Sequence, residues 1–266
     1  AETTTETVRV GSKSVQTKRD VFGIDSEGRR KLVTTTQADQ ENLPDGTSRT
    51  VENTLAPDLN GRLGLSQRQV QETKSAGPNV KQTDTTIYRP GINEALREAE
   101  RVQQTERQVS SDLLQNESTR FVRDAAGRWQ AIETRNQEVR KTGKTERLEE
   151  ETVRRLDANG ALTTAERKIT RRSSANGQDQ VVTETYSQNR AELDQRLRIT
   201  TVATADGGRQ TIQELEARNP IAPNEPLRVV ERTVETVRPI GPDRSETQRQ
   251  VFSMDGSGRL VPSIVE

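Results

Sequence analysis

Apolar residues are sparse along this chain and seldom keep helical spacing. Segments such as Val181-Val182-Thr183-Glu184-Thr185-Tyr186 and Val229-Val230-Glu231-Arg232-Thr233-Val234 are β-branched and read as strands. The strands are poor in core material. Thr145–Val153 (TERLEEETV) offers only Leu148 and Val153, so a sheet built from such segments is wet on much of both faces.

The strands are punctuated by a repeated turn. An apolar residue, two others, Asp, two others, Gly and Arg occur as Phe22, Asp25, Gly28, Arg29, and again as Leu55, Asp58, Gly61, Arg62. The pattern returns as Phe121, Asp124, Gly127, Arg128 and as Phe252, Asp255, Gly258, Arg259. Asp157 and Gly160 continue it with Arg154 before them and Ala161 after. The period is 33 residues, with Tyr88 on the intermediate mark between Leu55 and Phe121. Asp at the first turn position accepts from a backbone N–H two residues on, and Gly supplies the positive φ of a type I turn with a G1 bulge. A second set of turn residues sits half a period away, at Asp45-Gly46, Gly77-Pro78-Asn79, around Gly143, Asn176-Gly177, Asp206-Gly207-Gly208 and Gly241-Pro242-Asp243.

The expected fold is therefore all-β: a repetitive antiparallel hairpin meander of roughly 16 strands in about eight 33-residue repeats. A β-solenoid with a 33-residue coil is the alternative. Two stretches dissent. Asn93–Gln104 (NEALREAERVQQ), with Leu96, Ala99 and Val102, and Asn189–Leu197 have helical spacing and read either as helices of one to two turns at hairpin tips or as continued strand. Residues 1–20 read as an N-terminal strand segment, and 21–266 as a single repetitive domain. A meander of this kind would extend about 75 Å at ~4.8 Å per strand, and one that does not close leaves strand edges at both ends.

Composition sharpens the picture. Hydrophobic residues make up 28% and charged residues 31%, with 41 Lys+Arg against 41 Asp+Glu. No basic stripe points to a nucleic-acid partner. With no Cys and no His, disulfides, thiolate nucleophiles and the commonest general base are absent. Six aromatics cannot furnish the girdles of a membrane barrel. No Gly-x-Ser-x-Gly, Ser-x-x-Lys or phosphate-loop pattern occurs, and no enzymatic activity, cofactor or metal is expected. Asp58–Gly61 and Asp157–Gly160 open like calcium loops but lack the later acidic ligands, so they read as turns. Trp129 reads as hairpin packing. The 33 Thr, 23 Val and 10 Ile, with Arg far in excess of Lys, predict cross-strand Thr pairs and Arg–Glu rows as the source of stability.

The Asp-x-x-Gly-Arg turn resembles that of YD/RHS-type β-hairpin repeat proteins. The likeness covers about eight residues per repeat, the Tyr before Asp is mostly replaced, and those repeats are shorter. It implies hairpins, and neither an RHS shell nor a cargo is carried over.

These features point to a structural subunit of an extracellular filament or surface layer, made of copies of itself joined by strand pairing. Glu2–Val10 is Thr-rich and free of Pro and Gly, which makes Thr3, Thr5, Val8 and Val10 the candidate contacts. The alternative is a monomeric cell-surface stalk or adhesin with a ligand at its tip. Ala1 in place of Met and the lack of Cys fit secretion after removal of a signal, with no membrane insertion.

Overall fold

The structure is a computed structural model. It describes residues 3–11, 14–25, 27–58, 60–91, 93, 95–124, 126–187, 192–219, 221–222, 224–241 and 244–265. Thr3–Val10 (β1), Ser14–Ile24 (β2), Arg30–Asn42 (β3), Ser48–Pro57 (β4), Leu63–Gly77 (β5) and Val80–Pro90 (β6) come first. Leu96–Ser110 (β7), Leu113–Arg123 (β8), Trp129–Lys141 (β9), Glu146–Leu156 (β10), Leu162–Ala175 (β11) and Gln178–Ser187 (β12) follow. Gln195–Ala203 (β13), Arg209–Ala217 (β14), Arg228–Gly241 (β15), Arg244–Met254 (β16) and Leu260–Val265 (β17) complete the order. These seventeen strands form one open antiparallel meander sheet that does not close into a barrel. A solenoid is excluded, since its coils would stack in parallel rather than as hairpins.

Contacts divide the chain into two compact units. One is Ala1–Gln108 with Asn116–Thr134, and the other is Val109–Gln115 with Arg135–Glu266. The expected boundary at residue 20 falls inside β2, which is paired along its length with both β1 and β3.

The motif turns share one geometry. At Asp25, the Gly28 N–H donates to the Asp25 carbonyl at 3.0 Å and the Asp25 N–H donates to the Arg29 carbonyl at 2.9 Å. The Asp25 carboxylate accepts from the N–H groups of Glu27 and Arg29 at 2.9 and 2.8 Å. Gly28 has φ 78°, the positive value a side chain would resist. The same bonds recur at Asp58, Asp124, Asp157 and Asp255. Leu43–Thr47 and Thr204–Gly208 close alike, with the Asp moved to the third position. Asn176-Gly177, both at positive φ, makes the two-residue turn between β11 and β12.

A second repeat lies in the ladders. One extra residue is inserted at Val33, Ser66, Ala99, Ala165, Val230 and Ser263, as the register shifts show. Four of these bulges stand five residues beyond a motif glycine (28, 61, 160 and 258). Ser66 and Ser263 each turn a hydroxyl onto the facing strand's carbonyl, of Thr54 at 2.9 Å and Val251 at 3.1 Å. Bulges sharpen the local twist, so each repeat bends its hairpin at a set place.

Of the two readings of the helically spaced stretches, the described residues show continued strand and no helix. Leu96–Ser110 is strand β7 and Gln195–Ala203 is strand β13, while residues 94 and 189–191 lie outside the described residues. Ala99 is the inserted residue, and the bulge leaves Leu96 and Val102 on opposite faces of β7, so the three residues form no common stripe.

Burial is as thin as the pattern predicts. Among the described residues only Val139, Val153 and Val251 are buried apolar side chains.

Candidate functional site: strand edge, charged rows and turns

The outer edge of β1 is the feature nearest to a site. Gly11 N–H donates to the Ser14 carbonyl at 2.8 Å, so Gly11 and Ser14 are a hydrogen-bonded pair. Alternation along the ladder then turns the backbone groups of Thr4, Glu6, Val8 and Val10 outward, away from β2. Thr3 and Thr5 direct theirs to Phe22 and Asp20. Two of the four candidate contacts, Val8 and Val10, are thus on the free edge, and Thr4 and Glu6 join them. The pairing phase set by the hairpin decides this, and residue type carries no sign of it. Val8 is 53% exposed and Val10 78%. β1 contains no Lys or Pro, and its charged residues are Glu6 and Arg9. In β17, Pro262 interrupts the row of donors.

In the second unit, charges run as a chain across five strands. Arg171 reaches Glu184 at 2.7 Å, Glu184 reaches Arg196 at 3.1 Å, and Arg196 reaches Glu216 at 3.2 Å. Arg198 lies 3.9 Å from both Glu216 and Glu214, and Glu214 meets Arg232 at 2.6 Å. Register puts all of them on one face, with Phe252 opposite Arg232 and Tyr186 opposite Arg167. The hydrogen bond from Arg171, helped by Arg196, holds the Glu184 carboxyl below its ordinary 4.5.

In the first unit, Arg101 and Arg123 stack on Trp129 at 4.4 and 4.6 Å from the ring centre, and both bond Glu98. Arg30 stacks on Phe22 at 3.9 Å. On the other face Glu100, 6% exposed, is gripped by Arg89 at 2.6 Å and Arg120 at 2.8 Å. Burial pushes its carboxyl up, but the two guanidinium bonds outweigh burial and keep it low. Thr–Thr hydroxyl pairs bridge Thr73 to Thr83, Thr170 to Thr183 and Thr201 to Thr211 at 3.0, 3.1 and 3.2 Å.

The turn residues act within their own hairpins. Arg29 and Arg128 fold back onto Asp25 and Asp124 through Nε at 3.2 and 3.1 Å. The bond from the backbone N–H at the Arg position keeps Asp25, Asp124 and Asp255 below their ordinary 3.8. Asp58 spends one carboxylate oxygen on the N–H groups of Asn60 and Arg62, and Asp157 does the same for Asn159 and Ala161. Among the described residues no three carboxylates gather in a way that would hold a metal ion. Among the described residues no helix is long and apolar enough to cross a membrane.

No family model, curated protein or solved structure matches the chain.

Proposed function

We propose that the chain is the structural subunit of an extracellular filament or surface layer, joined by strand pairing between copies. The observation that carries this reading is the β1 edge: eight residues without Lys or Pro, with the backbone groups of Thr4, Glu6, Val8 and Val10 facing outward. Such an edge is a template for a strand of another copy. A single-layer sheet with little buried apolar surface supports the same reading, because it gains stability when another chain covers it. Contacts of this kind that do not close on themselves generate fibres. Charged rows and Thr pairs keep the exposed faces compatible with water.

Val8→Pro tests the joint. The N–H it removes points away from β2, so the β1–β2 ladder is kept while the outer edge is broken. The variant is expected to form no fibres under conditions where the parent chain does. Deleting residues 1–10 should do the same. Long fibres from either variant would place the joint elsewhere.

A further inference from the structure

Three Asn-Gly pairs stand at turns: Asn60-Gly61, Asn159-Gly160 and Asn176-Gly177. All six residues are exposed, and the three glycines have φ 77°, 79° and 73° with open space where a Cβ would be. They differ in one bond. The Gly61 N–H donates to the Asp58 carbonyl at 2.9 Å and the Gly160 N–H to the Asp157 carbonyl at 3.1 Å, the bonds that close the motif turns. At 176–177 the closing pair is Ala175 with Gln178, which leaves the two central amides outside the ladder. No described residue accepts from the Gly177 N–H. Asn176 is itself held at φ 54°, a left-handed value that Asn tolerates better than most residues.

We propose that Asn176 is a site of spontaneous deamidation, ahead of the other two Asn-Gly pairs, and that its iso-aspartyl product opens the β11–β12 turn. In the first step the Gly177 amide nitrogen gives its proton to hydroxide and bonds to Cγ of Asn176. The Cγ–Nδ2 bond breaks and ammonia leaves with a proton taken from water, so a five-membered succinimide remains. Water then adds at either ring carbonyl and gives aspartate or iso-aspartate. One water is consumed and one ammonia released, with no oxidation and no further reactant. The nucleophile is the deprotonated amide, and a hydrogen bond donated by the neutral N–H holds the proton in place. Gly61 and Gly160 must first give up that bond, and the net worth of one hydrogen bond corresponds to a rate lower by roughly 3- to 10-fold. Gly177 is spared this step, and with no side chain it leaves the approach to Cγ open. Iso-aspartate adds a methylene to the main chain. A two-residue turn has no slack for it, so the Ala175–Gln178 and Ser174–Asp179 pairs lose their register. The change concerns one hairpin and does not rest on self-association.

The test is made on the full chain, aged at mildly alkaline pH and digested for peptide mass spectrometry. A gain of one mass unit at Asn176 should accumulate roughly 3- to 10-fold faster than at Asn60 or Asn159, with iso-aspartate confirmed by labelling with an isoaspartyl methyltransferase. In denaturant the three sites should converge, because the difference lies in the turns. Amides of β12 in the aged chain should exchange faster than those of Asn176→Asp, whose main chain keeps its length. Asn176→Ser should remove the fast site and leave the two slower ones. The proposal is overturned if Asn60 or Asn159 converts as fast as Asn176 in the folded chain, or if the lead of Asn176 persists unchanged in denaturant. It is overturned too if β12 of the aged chain exchanges like that of the aspartate variant.

Discussion

Gly61→Ala isolates what the motif glycine contributes. Gly61 sits at φ 77°, and a methyl built there meets nothing within 4 Å. The cost is therefore backbone strain alone, about 1–2 kcal/mol for an L-residue in the left-handed region. Gly64, three residues on in β5, also has open space around it but no positive φ, so Gly64→Ala should stabilise by about 0.5–1 kcal/mol. Each strand of a meander touches only its neighbours, so the effect should stay local rather than shift one global transition. Hydrogen exchange read by mass spectrometry is the suitable assay. In Gly61→Ala the amides of β4 and β5 should exchange roughly 5- to 30-fold faster, since 1.4 kcal/mol is tenfold, while those of β12 and β13 stay as in the parent. In Gly64→Ala the β4 and β5 amides should slow. Equal effects at the two sites, or acceleration spread over all strands, would refute the turn argument.

Acid should loosen the hairpins. The carboxyls of Asp25, Asp124, Asp255, Glu100 and Glu184 lie below their ordinary values in the fold. Stability from a lowered carboxyl is complete above its unfolded value and drains as pH falls through its folded one, so stability should be flat above about pH 5 and decline below 4. Denaturant titrations across that window check this, and a decline beginning near neutrality would contradict it. Glu184→Gln should free Arg171 and Arg196 from the charged row, lowering β11–β13 protection by no more than about 1 kcal/mol, because the pairs are partly exposed. Thr35→Val removes the hydroxyl that donates to Asp20 at 2.7 Å, and carbon-detected NMR should see the Asp20 carboxyl titrate at a higher pH than in the parent.

The hairpins were legible because their turns need particular chemistry. Asp25 and Gly28 do jobs that few other residues can do, so their recurrence every 33 residues shows through a variable sequence. The bulges follow much the same spacing but accept Val33, Ser66, Ala99 or Ala165, and so leave no signature. The Thr pairs and Arg–Glu rows could be expected as a class from composition. Their members could not, because the row through Glu184, Arg196 and Glu216 depends on register, which the turn lengths and bulges set together. The edge residues show the same limit: Thr-rich composition marked β1, and only the hairpin's phase separates Thr4 from Thr5.

Electron microscopy of the purified full-length chain over a range of concentrations puts self-assembly to the most direct trial. Uniform fibres that vanish in Val8→Pro are the predicted result, and dispersed single particles of the parent chain at every concentration would contradict it.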